Sequence, residues 1–307
     1  MSSVALHPQA EALLTQMKAA GFPGLSSMTP EQCRVVVSAM SAGAPVPEIG
    51  EARDVVCGGI SCRLYRPVGS AASDVLGVLV WFHGGGWVIG SVDGSDRICR
   101  TMANTSGCAV VSVEYRLAPE HPFPAATDDS FNALKGVVAM ASELGVDAAR
   151  VAIGGDSAGG NIAAVVALRA RDEAAPNVAF QLLVYPITDG SMGCASYVEN
   201  ASGYYLERAD MQYCYDLYAG PRDHWQVSPL AAPSFTGLPP ALIITASHDP
   251  LRDEGEAYGQ ALRNAGVRTT VTRYPGMIHG FFGMTEALDD AKLAQAEAMS
   301  ALRRHIG

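Results

Sequence analysis

Three small sets of residues in this 307-residue chain could do chemistry together. The first is Gly155-Asp156-Ser157-Ala158-Gly159, a G-x-S-x-G pentapeptide between an apolar run, RVAIGG, and a helix-forming run, AGGNIAAVVALRA. The pentapeptide alone is a weak signal. Its setting is the stronger one, because a strand, a sharp turn and a helix can lift a serine hydroxyl clear of the backbone. Small neighbours let such a turn close. The turn also puts the Ala158 amide at a helix start, where unpaired N–H groups favour negative charge. Ser157 is therefore a candidate nucleophile.

The second set is His83-Gly84-Gly85-Gly86-Trp87, after the run VLVWF. Three glycines let backbone amides turn toward a ligand without side-chain interference. Amides aimed at a developing oxyanion can each lower a barrier by roughly 3–4 kcal/mol. No Gly-Lys-Ser/Thr follows, so a phosphate loop is excluded. Which of Gly84, Gly85 and Gly86 would point its amide at the oxyanion is left open by the sequence.

The third set is an acid and a base downstream, in the order serine, acid, histidine. Asp249 follows PALIITAS and His279 follows TTVTRYP. Asp253 and Glu254 are alternative acids, but they read better as first-turn residues of the next helix. Among the other histidines, His7 and His305 lie near the termini and His224 in a long insertion. His83 belongs to the glycine loop, and His121 precedes a helix. His248 adjoins Asp249 and should point elsewhere. Together these residues could carry out acyl transfer: His279 deprotonates Ser157, and Asp249 holds the imidazole.

The elements that must position them follow from patterning. Runs at 75–82, 108–115, 150–155, 180–186, 240–247 and 269–275 are apolar or β-branched and read as strands buried on both faces. Helical segments at 124–144, 158–172, 254–265 and 284–305 alternate with them. The alternation predicts a mostly parallel sheet with helices on both sides, which places Ser157, Asp249 and His279 at one strand-end edge, where ligands bind such sheets. Ahead of these lies a hairpin, RDVVC and ISCRLYRP around Gly58-Gly59. The chain opens with two short helices. Ala10, Leu13, Leu14 and Met17 share a face of the first, and Gly21 ends it. Thr29, Pro30 and Gln32 start the second as a capping box, with Cys33, Val36, Val37 and Met40 as its apolar stripe. Residues 41–50 read as a linker. The 187–239 stretch is too long for an ordinary connection and predicts a second piece of structure over the sheet.

Composition excludes other roles. The formal charge is −10 and no Lys/Arg cluster occurs, so nucleic acid is not an expected partner. No apolar stretch is long enough to span a bilayer, and the N-terminus lacks the basic-then-apolar pattern of a secretory signal. The seven cysteines are odd in number and contain no C-x-x-C, which argues against a disulfide framework or zinc site. A cysteine such as Cys108, in CAVVSV, reads as a small buried hydrophobe. The default compartment is a reduced cytoplasm.

With HGGGW at 83–87, EYRLAPEHPFPAA at 114–126, GDSAGGN at 155–161, DPLRDEG at 249–255 and HGF at 279–281, the chain resembles the microbial hormone-sensitive-lipase-like carboxylesterases of the α/β-hydrolase superfamily from about residue 45 onward. The resemblance implies an α/β-hydrolase core at 46–186 and 240–307. It also implies a helical cap made of N-terminal helices at 1–45 and an insertion plus connection at 187–239. It implies an oxyanion hole from the amides of Gly85, Gly86 and Ala158, short- to medium-chain acyl esters as substrates, no metal or other cofactor, and in some members a homodimer through the last strand and helix. Trp87 and the run Gly203-Tyr204-Tyr205-Leu206 are expected pocket walls, with Trp87, Tyr204 and Leu206 foremost. Two positions depart from the family pattern. Glu114 replaces the usual Asp, which bears on hydrogen bonding beneath the site. His248 stands where an aromatic, Glu or small residue is expected, which bears on a pocket wall or the pH profile. A non-catalytic receptor, such as the plant gibberellin receptor that resembles this family, would lack a working triad, and none of its three residues is missing here. An amidase or deacetylase using the same residues is the other alternative. Peptide cleavage is disfavoured, since nothing resembles a peptide-gating domain.

Overall fold

The computed structural model describes residues 4–41 and 46–307, apart from the side chains of Met40 and Ser41. Residues 42–45 of the expected linker, residues 1–3 and Met40 of the expected stripe lie outside that description.

Eight strands form one sheet: β1 (Glu51–Cys57), β2 (Ile60–Arg66), β3 (Leu76–Phe82), β4 (Ala109–Val113), β5 (Val146–Asp156), β6 (Phe180–Val184), β7 (Ala241–His248) and β8 (Thr269–Ile278). Their order is β1-β2-β4-β3-β5-β6-β7-β8. The β1–β2 and β2–β4 pairs are antiparallel, and the rest are parallel. The hairpin turn is at Gly58-Gly59, with φ of 58° and 83°, angles that cost glycine little. Strands β4, β6 and β7 are buried along their whole length, as continuous apolar runs require. β1 lies at the sheet edge and alternates between exposed and covered residues instead.

Alternate residues of β3 supply two cores. Val78, Val80 and Phe82 face one side, with α4 (Ala125–Ala139), α6 (Ala158–Asp172) and α9 (Arg252–Asn264). Leu79 and Trp81 face the other, with α3 (Asp96–Ser106) and α10 (Asp289–Ile306). α3 was not expected from the sequence. Its buried face is only Cys99, Met102, Ala103 and Ser106, too small and mixed to stand out. The expected 124–144 helix breaks at Met140, with α5 (Ala141–Leu144) following. The expected helix at 284–305 starts only at Asp289, after a 3-10 turn at Phe281–Gly283.

The N-terminal helices are α1 (Pro8–Ala19) and α2 (Pro30–Ser41). The Thr29 amide donates to Gln32 Oε1 at 2.9 Å and the Gln32 amide to Thr29 Oγ1 at 3.3 Å, so the capping box is formed. The long insertion carries α7 (Ser196–Glu199) and α8 (Arg208–Tyr218). α8 meets the N-terminal segment directly: the Ser26 amide donates to Asp210 at 2.9 Å and the Tyr213 hydroxyl to the Met28 carbonyl at 2.8 Å. Six of the seven cysteines are buried, Cys108 among them.

Candidate active site

Ser157 sits between β5 and α6 with φ 56° and ψ −117°, a strained conformation for a non-glycine residue. Close packing enforces it. A Cβ on Gly159 would overlap the Phe82 carbonyl oxygen, and one on Gly155 would overlap both that oxygen and the Gly159 backbone. Only glycines let β3, β5 and α6 approach so nearly. The Ser157 amide is held by the Val184 carbonyl at 2.9 Å.

Asp249 and His279 immediately follow β7 and β8, so parallel pairing brings them to the edge where Ser157 stands. His279 Nδ1 lies 2.7 Å from Asp249 Oδ2, and His279 Nε2 lies 3.0 Å from Ser157 Oγ. With the proton on Nδ1 donated to Asp249, Nε2 is free to accept from the serine hydroxyl. Asp249 is fully buried and its other oxygen accepts the Leu251 amide at 2.8 Å. Asn200, in the insertion, donates to the Asp249 carbonyl at 3.1 Å. The Tyr185 ring packs against the imidazole with centroids 4.5 Å apart. Such a hydrogen-bonded chain can deprotonate a hydroxyl as it attacks a carbonyl carbon.

The alternative acids are placed as their positions suggested, in the first turn of α9. Asp253 pairs with Arg252 and accepts the Ser196 amide. Glu254 is wholly buried, which pushes its carboxyl well above the usual range, and it accepts the Thr188 amide at 2.7 Å. It ties α9 to the chain leaving β6.

In the glycine loop, the Gly84 amide donates to Asp156 Oδ1 at 2.9 Å. Among the described residues, the Gly85 and Gly86 amides donate to no protein acceptor, and both residues line the cavity beside Ser157. Among the described residues, Asp156 thus engages one of the three glycine amides and leaves the other two without a protein acceptor. Ala158 opens α6 and is buried. Burial pushes the Asp156 carboxyl up to about 6, with the Gly84 hydrogen bond opposing. His83 is pushed down to about 4 by burial, and its ring stacks on Tyr115 at 4.2 Å. The Tyr115 hydroxyl donates to the His83 carbonyl at 2.7 Å, fixing the start of the loop.

A cavity of about 670 Å³ opens over Ser157 and His279, within the size range of small-molecule sites. Its walls come from α1 and α2 (Leu14, Met17, Val37), the segment between them (Phe22) and the insertion (Tyr205, Leu206, Met211, Cys214). Two expected walls are misplaced. Trp87 is fully buried and stacked on Tyr218 at 4.3 Å, away from the cavity. Tyr204 turns to pack in a tilted contact against His248, with centroids 4.7 Å apart, and Tyr205 lines the cavity instead. Leu206 lines the cavity. Tyr205 has φ 78°, which reverses the chain direction and swings neighbouring side chains apart. No local signal marks that reversal.

The two departures from the family pattern have clear surroundings. Glu114 accepts the Val92 amide at 2.6 Å, bracing the chain just beyond the glycine loop, and burial raises its carboxyl. His248 points away from Asp249, toward Tyr204 and the backbone of Val4 and Ala5, and burial lowers its imidazole. Among the described residues, no group of three or more His, Cys, Asp or Glu is placed to hold a metal ion, and no helix is long and apolar enough to cross a membrane.

Comparison with known proteins bears on this arrangement. A family model described as the alpha/beta hydrolase fold matches residues 79–283. Carboxylesterase NlhH of Mycobacterium tuberculosis is 43% identical over 253 residues, covering 80% of this chain and 79% of that protein. Ethyl acetate hydrolase of Pseudomonas putida is 38% identical over 250 residues, covering 80% and 78%. Among solved structures, an ester hydrolase from the metagenome of Lake Arreo, complexed with a derivative of bipyridine phosphonate, superposes with a TM-score of 0.93. It is 45% identical, and the match covers 98% of this chain and 99% of that one.

Proposed function

This chain belongs to the α/β-hydrolase fold family, among its hormone-sensitive-lipase-like carboxylesterases, and from that premise we propose that Ser157, His279 and Asp249 are its nucleophile, base and orienting acid. The chain is a carboxylic ester hydrolase. The observation that carries the assignment of residues is the unbroken chain Asp249–His279–Ser157, at 2.7 and 3.0 Å.

The reaction follows from those positions. Ser157 Oγ attacks the ester carbonyl carbon as its proton passes to His279 Nε2. The carbonyl π electrons move to oxygen, and the amides of Gly85, Gly86 and Ala158 receive that negative charge. Asp249 stabilises the imidazolium. The tetrahedral intermediate then collapses, the carbon–alkoxy bond breaks, and His279 gives its proton to the departing alcohol. A water molecule attacks the acyl-Ser157 ester, again losing its proton to His279. The second collapse releases the acid and returns the proton to Oγ.

The substrates in this reading are short- to medium-chain acyl esters. Ser157 and His279 are less than a tenth exposed, so the ester must enter the cavity to react. The N-terminal helices at 1–45 and the insertion at 187–239 act as a cap on the core at 46–186 and 240–307. That division is supported by the cavity walls, which come from both cap pieces. The enzyme works without metal or other cofactor, in the cytoplasm. Because β8 lies at the edge of the sheet, a homodimer through β8 and α10 is the expected assembly; size-exclusion chromatography tests it. Nothing in the site favours an amide substrate over an ester, and a receptor role has no use for the complete triad.

The deciding experiment is hydrolysis of p-nitrophenyl esters from acetate to palmitate by the wild type and Ser157→Ala. The wild type should favour the short esters, and Ser157→Ala should be inactive with an unchanged circular dichroism spectrum. Turnover by the variant at the wild-type rate would refute the nucleophile, and a palmitate optimum would refute the short-chain reading.

A further inference from the structure

The glycine loop takes three successive left-handed residues: Gly85 at φ 121°, Gly86 at 59° and Trp87 at 62°. Glycine adopts such angles freely. A tryptophan does not, and it keeps such an angle only where its surroundings hold it there. Those surroundings belong to the insertion. The Trp87 indole lies flat on the ring of Tyr218, the last residue of α8, with centroids 4.3 Å apart and planes 4° apart. Tyr215, one turn earlier, also packs against it, with centroids 5.5 Å apart and planes tilted by 50°. From the same helix, the Cys214 sulfur lies so close over Gly86 that a Cβ there would overlap it. Tyr218 is itself fixed: Phe123 meets its ring edge-on at 5.7 Å, and the Phe123 amide donates to the Tyr218 carbonyl at 2.9 Å.

We propose that Tyr218 is a positioning residue for the oxyanion amides, acting through its stack on Trp87. The inference rests on the reading of Gly85 and Gly86 as oxyanion donors. Both amides precede Trp87 directly, so a rotation of its backbone moves them. An oxyanion donor displaced by about 1 Å loses much of its worth. The insertion thus has a second task besides walling the cavity: α8 holds the part of the loop that binds charge in the transition state. The ring performs this task, through its stack on the indole.

The test compares Tyr218→Phe and Tyr218→Leu with the wild type. It measures kcat and KM for p-nitrophenyl acetate and the inhibition constant of 1,1,1-trifluoro-2-butanone, whose serine adduct places an oxyanion in the hole. Tyr218→Leu should lose about tenfold to a hundredfold in kcat with little change in KM, and its ketone inhibition constant should rise in parallel. Tyr218→Phe should restore both. If Tyr218→Leu does not fold, Tyr218→His, which keeps a smaller planar ring, should show an intermediate loss in kcat and in ketone affinity together. A folded Tyr218→Leu with unchanged kcat, a Phe variant as impaired as Leu, or a loss confined to KM would overturn the proposal. Ser157→Ala in the same assay separates the two levels. If it is dead while Tyr218→Leu is unimpaired, only the positioning role falls. If it is as active as the wild type, the site and this role fall together.

Discussion

Asp156 Oδ1 accepts the Gly84 amide at 2.9 Å, joining the residue before Ser157 to the glycine loop after the neighbouring strand β3. A Cβ on Gly84 would overlap the Asp156 carboxylate, so the first glycine of the loop exists for this contact. The bond uses up one amide of three, while, among the described residues, the Gly85 and Gly86 amides have no protein acceptor and both residues line the cavity. It also places a carboxylate with little solvent a single residue from Ser157.

That carboxylate makes stability depend on pH. Burial raises its folded pKa to about 6, against an ordinary value of 3.8. Between those values the folded state holds more protons than the unfolded state, so this group's contribution to stability falls as pH rises. Asp156→Asn removes the titration and keeps an oxygen for the Gly84 amide. Denaturant unfolding from pH 4 to 7 should show the wild type losing stability relative to Asp156→Asn, by at most about 3 kcal/mol. A difference that stays flat would mean that Asp156 ionises like an ordinary surface carboxylate.

Asp249→Asn should lower kcat by about 10⁴-fold while leaving KM nearly unchanged, because the imidazole loses the partner that fixes its proton on Nδ1. Steady-state kinetics with p-nitrophenyl acetate measures both. Asp253→Asn should keep most of the activity, since Asp253 pairs with Arg252 and the Ser196 amide and not with His279. Equal losses in the two variants would remove the distinction between the acids.

Tyr205 separates the N-terminal helices from the His279 loop. Its ring lies against Phe22, with centroids 6.3 Å apart, and beside Gly280. Tyr205→Ala should open the cavity there, raising kcat/KM for p-nitrophenyl decanoate relative to acetate by about tenfold or more. The ratio from a chain-length series decides it; an unchanged ratio would place the acyl chain elsewhere in the cavity.

Gly159→Ala should be among the most damaging single-methyl additions in the chain. The new Cβ would overlap the Phe82 carbonyl oxygen, which is backbone of the central strand β3 and cannot swing aside. Overpacking of this kind costs about 1–3 kcal/mol or more. The melting temperature should fall and the hydrolytic rate with it. Gly283→Ala, where a Cβ meets nothing within 4 Å, is the matching control and should change neither.

The sequence by itself determined the sheet and singled out the residues of the proposed triad. Continuous apolar runs mark β5 and β7 as interior strands, the run of β8 turns out to be a half-covered edge strand, and Ser157, Asp249 and His279 follow these three in the order the chemistry uses. These are local signals: each motif carries the small residues its own turn requires. Tertiary structure decided the rest, because the deciding partner is distant in the chain. Gly84 was set apart from Gly85 and Gly86 by Asp156, 72 residues later. Trp87 was drawn out of the expected pocket wall by Tyr218. Tyr205 replaced Tyr204 in the cavity, with a positive φ at Tyr205 and a tilted contact between Tyr204 and His248 parting the two adjacent rings. α3 was hidden because its apolar face is narrow and becomes meaningful only beneath the sheet. Strand periodicity reports which residues leave water, whereas the direction of a side chain in a loop depends on backbone angles and on neighbours that only folding brings near.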